Sequence, residues 1–75
     1  MDDVQFVNSN IRKGLFFKSG DTVMVCGQGG DGEYFMEKHR RGSLVNQEEF
    51  YDVESFIAAM KEIAPISDWQ VGKPE

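Results

Sequence analysis

The sequence predicts an α+β domain: a three- to four-stranded antiparallel β-meander packed against one α-helix in the C-terminal half. Three observations lead there. Residues 15–40 hold short apolar runs, rich in β-branched and aromatic residues and separated by Gly, Ser and Asp. Beyond residue 46 the apolar spacing changes to three and four, through Phe50, Val53, Ile57, Met60 and Ala64. A chain of 75 residues has room for one core, so residues 1–75 form a single small domain.

In chain order, Val4-Gln5-Phe6-Val7 alternates and is expected as a short edge strand. Asn8-Ser9-Asn10 is then a polar break with turn chemistry. Leu15 to Lys18 is a strand, followed by a tight turn at Ser19-Gly20-Asp21. Thr22 to Cys26, β-branched and apolar, is the strongest strand signal in the chain. Gly27 to Gly32 is a glycine-rich loop, Glu33 to His39 the return strand, and Arg40-Arg41-Gly42 closes it.

Two starts fit the helix. Asn46 with Glu49 has capping-box spacing and Val45 with Phe50 has staple spacing, which begins it near residue 47. Asp52 as N-cap gives a helix over 52–64 and leaves 43–51 for a further strand. Phe56 and Ile63 widen the apolar stripe to that of a helix lying on a sheet. Pro65 ends it, because proline disfavours helical geometry in the residue before it. Ile66 to Val71 forms a last strand or an ordered tail, with Trp69 either a core plug, the commoner case, or an exposed interface anchor, and 72–75 a frayed end. The sheet face away from the helix is solvated unless the strands curl into a small SH3-like β-barrel, the alternative architecture.

Composition narrows the function classes. Hydrophobic residues at 40% and charged residues at 28% are ordinary globular usage. The lone Cys26 rules out an internal disulfide and a zinc site built on several cysteines. No apolar run approaches the ~20 residues that span a bilayer. Met1-Asp2-Asp3 is acidic where a secretory signal is basic, so a reducing cytoplasm and a free thiol are expected. The formal net charge of −5 is unevenly laid out. Residues 1–42 carry six acids and six bases, whereas residues 43–75 carry seven acids against Lys61 and Lys73.

Several patterns invite chemistry. Gly27-Gln28-Gly29-Gly30-Asp31-Gly32 matches G-x-G-x-x-G, whose glycines let backbone approach a pyrophosphate at the start of a helix. The following Glu33 to Met36 reads as strand, and Asp31 and Glu33 repel phosphate, so the match is read as a hairpin connection. His39 lies two residues from Glu37 on one strand face, a carboxylate–histidine pair of common type. Cys26, inside an apolar strand, is expected to be an inert buried thiol. These residues assemble no nucleophile–base pair, so no enzyme activity, cofactor or metal site is expected.

Two charged clusters remain. Glu48, Glu49, Asp52 and Glu54 form a dense acidic patch, expected to meet Arg or Lys on a larger basic partner, such as a nucleic-acid-handling protein. Lys38, Arg40 and Arg41 form the alternative contact, with a phosphate backbone, on a nucleic-acid-binding meander or SH3-like domain. Strand alternation divides that cluster between two faces, and the net negative charge opposes direct nucleic-acid binding. In size, charge and layout the chain is similar to small inhibitors of bacteriophages and mobile elements, such as anti-CRISPR and DNA-mimic proteins. The likeness is of class and carries no shared motif. It implies a small acidic non-enzymatic protein-binding module, an inhibitor or adaptor. A homodimer through Phe6 and Val7 on a weak first strand is a further expectation.

Overall fold

The computed structural model describes residues 2–74. The meander forms as the sequence predicts and continues into a fourth long strand. β1 (Leu15–Ser19), β2 (Thr22–Gln28), β3 (Tyr34–Arg40) and β4 (Ser43–Phe50) pair antiparallel in turn. A two-residue β5 (Gln70–Val71) returns to the outer edge of β1, giving the order β4-β3-β2-β1-β5. The sheet is open, with β4 and β5 as its edges, so the SH3-like barrel is not formed. Residues 43–51 divide accordingly: β4 takes 43–50, and the capping-box and staple spacings at Asn46–Glu49 and Val45–Phe50 fall within it. Pairing along the free edge of β3 overrides the local capping pattern, because a ladder of backbone hydrogen bonds over the whole segment outweighs one cap.

Two helices cover one face. α2 (Val53–Ile63) starts at Asp52, whose carboxylate accepts the Ser55 N–H at 2.9 Å. It stops at Ala64, one residue before Pro65, and a 3-10 turn (Ile66–Asp68) leads into β5. α1 (Asp3–Asn10) replaces the expected edge strand over 4–7 and the expected break at 8–10. Asp2 caps it by accepting the Gln5 N–H at 2.7 Å, and the Asn10 amide folds back to donate to the Phe6 carbonyl at 2.8 Å. Val7 and Ile11, four apart, are both buried, which is helical rather than strand periodicity. Packing of that pair against α2 and the sheet outweighs the low helix propensity of Asn8-Ser9-Asn10. The strand edge expected to carry a homodimer contact is therefore not formed: Val7 is fully buried and Phe6 half-buried on α1.

The core lies between the helices and the inner sheet face. Leu15, Cys26 and Met36 share one register row across β1, β2 and β3, and all three are buried. Above them Phe56 of α2 is fully buried, stacked on Tyr34 at 5.0 Å between ring centroids and tilted against Phe50 at 5.6 Å. Trp69 closes the other side against Phe17 at 5.8 Å, its indole N–H donating to the Ala64 carbonyl at 3.2 Å. Of the two places open to Trp69, it takes the core and not an exposed anchor. Gly72 donates to the Gly14 carbonyl at 2.8 Å, so the expected frayed end is held at least through residue 72. Glu75, its last residue, lies outside the described residues, as does Met1.

Two hairpin turns sit at one end of the sheet. Gly20 (φ 62°) opens the β1–β2 turn. The β3–β4 turn places both Arg41 (φ 53°) and Gly42 (φ 83°) in the left-handed region, as a type I′ turn requires. Arg41 is the one described non-glycine residue there, and it is tied to the neighbouring turn. Its N–H donates to the Asp21 carbonyl at 3.0 Å and its Nε to the Asp21 carboxylate at 3.1 Å.

Two stability predictions follow from this packing. A domain of this length is stable by only ~4–11 kcal/mol, at the usual 0.05–0.15 kcal/mol per residue. Phe56→Ala, which costs about 3–5 kcal/mol for a buried aromatic, should leave much of the protein unfolded in urea titrations, whereas Phe56→Leu should fold. Arg41→Asn should raise the melting temperature. Asn accepts the left-handed conformation that disfavours other side chains by about 1–2 kcal/mol, while the exposed ion pair it removes is worth at most ~1 kcal/mol.

Candidate protein-interaction surface

The β3–β4 hairpin separates charge by its length. Its tip carries Lys38, Arg40 and Arg41; its open end carries Glu48 and Glu49, then Asp52 and Glu54 at the start of α2. Six steps from Tyr34 to Arg40 correspond to roughly 20 Å at strand rise. Glu48, opposite Met36, and Lys38 are two rows apart, so the two clusters adjoin in mid-hairpin and diverge toward Arg41 at one end and Glu54 at the other.

The structure divides the acidic cluster further. Glu48 is in register with the buried Met36 and lies on the inner face, where it lines a groove of about 500 Å³ between α2 and the sheet. Lys38, Asn46 and Glu62 border the same groove over a floor of Met24 and Met36. Glu49 points to the opposite face, in register with Phe35. Asp52 and Glu54 stand on the exposed side of the helix start. The four acids thus form a ring around the β4–α2 corner.

At that corner stands Tyr51, 82% exposed. Its hydroxyl donates to Glu49 at 3.3 Å. Repulsion from the Glu49 carboxylate, with that hydrogen bond, raises the phenol above its ordinary pKa, and Glu33 of the β2–β3 loop adds to the effect. Asp52 is held below the usual carboxylate range, first by the Ser55 hydroxyl donating at 2.7 Å and then by the Ser55 N–H. Tyr51 is the member that the sequence argument missed. It lies off the helical stripe beside Phe50, and a large aromatic out of phase among four acids was the available signal.

The helical layer continues this negative surface. Asp2, Glu62 and Asp68 are exposed on or beside the helices, and Lys61 there is engaged by Asp3 at 2.6 Å. The basic cluster is partly engaged instead. Lys38 and Arg40 share the inner-face parity, Arg41 is committed to Asp21, and His39 faces outward with Glu37, its Nε2 3.0 Å from the carboxylate. The outer face also carries half-buried Phe16, Val23, Val25 and Phe35, with the Phe35 ring lying across Gly27 where no Cβ fits.

The G-x-G-x-x-G segment lies on β2 and its connection to β3, with no helix behind it. The Cys26 thiol is buried, and burial pushes its pKa up to about 12. Among the described residues, no three His, Cys, Asp or Glu side chains are grouped so as to hold a metal ion, and no helix is long and apolar enough to cross a membrane. The α+β class is thus set by an open antiparallel sheet under two helices, and the candidate site by an aromatic in an acidic ring. No protein-family model, curated protein or solved structure matches the chain.

Two measurements follow from the burial of Cys26 and the capping role of Asp52. Cys26 should resist alkylation at neutral pH in native buffer and react fully in denaturant, as counted by intact mass. Because the Asp52 pKa is lowered on folding, its contribution is fully present above the ordinary value of 3.8 and is lost as pH falls through the lower folded value. Asp52→Ala should therefore lower the melting temperature at pH 7 by more than at pH values below that range.

Proposed function

We infer that this chain is a small acidic protein-binding module, without catalysis of its own, that docks a larger basic partner through the corner around Tyr51. The observation that carries the reading is the 82% exposure of Tyr51 beside Glu49 and Glu33, with the exposed Asp52 and Glu54 following it in the chain at the start of α2. Tyrosine is among the residues that dominate binding energy at interfaces, since it buries a large rigid area and keeps a polar end. Surrounding carboxylates steer a basic surface toward it and set the orientation of the encounter. A nucleic-acid-handling protein offers such a basic surface. Inhibitor or adaptor, of the kind found among phage and mobile-element proteins, is the role this chemistry supports.

The test is affinity capture from the native host. The triple variant Glu49→Lys, Tyr51→Ala, Glu54→Lys leaves the Asp52 cap and the buried side chains intact, so its circular dichroism should match the wild type. It should lose the proteins that the wild type retains in a salt-sensitive manner. An unchanged captured set would overturn the electrostatic docking. The second reading, binding of nucleic acid at the hairpin tip, has in its favour the grouping of Lys38, Arg40 and Arg41 at one end of the sheet. It requires an affinity that falls steeply with salt, and a gel shift negative at low salt removes it.

A further inference from the structure

We propose that β4 is also a self-association edge, pairing antiparallel with β4 of a second copy to make one continuous sheet across a two-fold axis. β4 is the terminal strand of the sheet, eight residues long, and among the described residues no strand lies on its side away from β3. Ser43 to Glu49 are all exposed, including Leu44 at 51% and Val45 at 54%. No proline blocks the edge, and the short β5 on the other side offers only two residues.

Charge and register select the occupant. The strand is acidic at its C-terminal end, Glu48 and Glu49, and lies beside basic residues, Lys38 and Arg40, at the other. An antiparallel copy brings each acidic end to the partner's basic end. A β-bulge between Lys38 and His39 disturbs the Ser43–Val45 end, whereas Asn46 to Phe50 pair regularly with β3. Opposed residues in an antiparallel pair must share a face, and within the regular stretch three symmetric registers allow this with at least three residues. Those centred on Glu48 and on Glu49 each set a carboxylate against its own copy. The third is centred on Gln47.

The Gln47 register places Glu48 of each copy opposite Asn46 of the other. Lys38 then lies one strand further on the same face, because Lys38 and Asn46 are register partners. No salt bridge engages Lys38 among the described residues, and the two strand spacings to the Glu48 carboxylate, ~9.6 Å between backbones, are bridged by the long Lys and Glu side chains reaching from both sides. The dimer thus completes a Lys38–Asn46–Glu48 row twice, once on each side of the axis. The Tyr51 corners remain at its two far ends, so this pairing is independent of the docking reading.

Sedimentation equilibrium from roughly 10 μM to roughly 1 mM, the range in which a small interface assembles, reads the outcome directly. The wild type should move from monomer to dimer mass with concentration, and less so as salt rises. Glu48→Lys and Lys38→Glu should each weaken the dimer at least about tenfold, and an equimolar mixture of the two should restore it, because the altered charges attract across the axis. Gln47→Lys, at an exposed position in register with Glu37 on β3, leaves the buried side chains intact and should give a monomer by setting two cations against each other on the axis. A wild type that stays at monomer mass throughout overturns the proposal. So does a dimer that Gln47→Lys leaves unchanged.

Discussion

The burial of Phe56 between Tyr34 and Phe50 is the constraint on which the rest of the molecule depends. One ring from α2 is held by the first residue of β3 and the last residue of β4, so the helix is fixed to the open end of the hairpin. The path from Phe50 to Phe56 is short. Phe50 must face inward to reach the stack, and Asp52 must turn outward to cap the helix. Tyr51 between them is left pointing into solvent. The most exposed aromatic in the protein is therefore a consequence of the most buried one.

The same geometry turns a linear charge pattern into a spatial one. In the chain, acids and bases alternate in blocks; in the hairpin, the blocks adjoin and diverge toward the two ends of one ribbon. The acidic end gains Glu33 from the β2–β3 loop, a residue far from it in sequence, as the repulsion it exerts on Tyr51 records. The basic end loses independence, since Arg41 is spent on joining two turns through Asp21. One end is concentrated by folding and the other partly engaged. Protein docking at the acidic corner is favoured over phosphate binding at the tip for that reason.

A small core also explains what lies at its borders. The domain hides its largest rings and its only thiol, yet it covers one sheet face and leaves β4 uncapped. Stability in such a chain comes from a few well-packed rings, two capped helices and a backbone tie from Gly72 to Gly14. Free edge and free face are what remain after 75 residues have closed one layer of contacts.

Much of the fold was legible locally. The meander, the helix ending before Pro65 and the buried thiol follow from apolar spacing and turn residues, which act within a few positions of the chain. Three features were not. Val4 to Val7 alternates as a strand does, but Val7 and Ile11 have a helix partner and a sheet to bury against, and burial decides between two periods that a short segment can satisfy. Residues 43–50 carry helix-capping spacings, but the unpaired edge of β3 offers backbone hydrogen bonds along the whole segment. The acidic residues were found as a cluster, while their distribution around Tyr51 depends on where β4 stops and α2 begins. The sequence by itself determined which residues are apolar, where the chain turns and how its charge is allotted. Only the tertiary structure decided which element ambiguous segments join and which side chains share a surface, because both depend on contacts between residues distant in the chain.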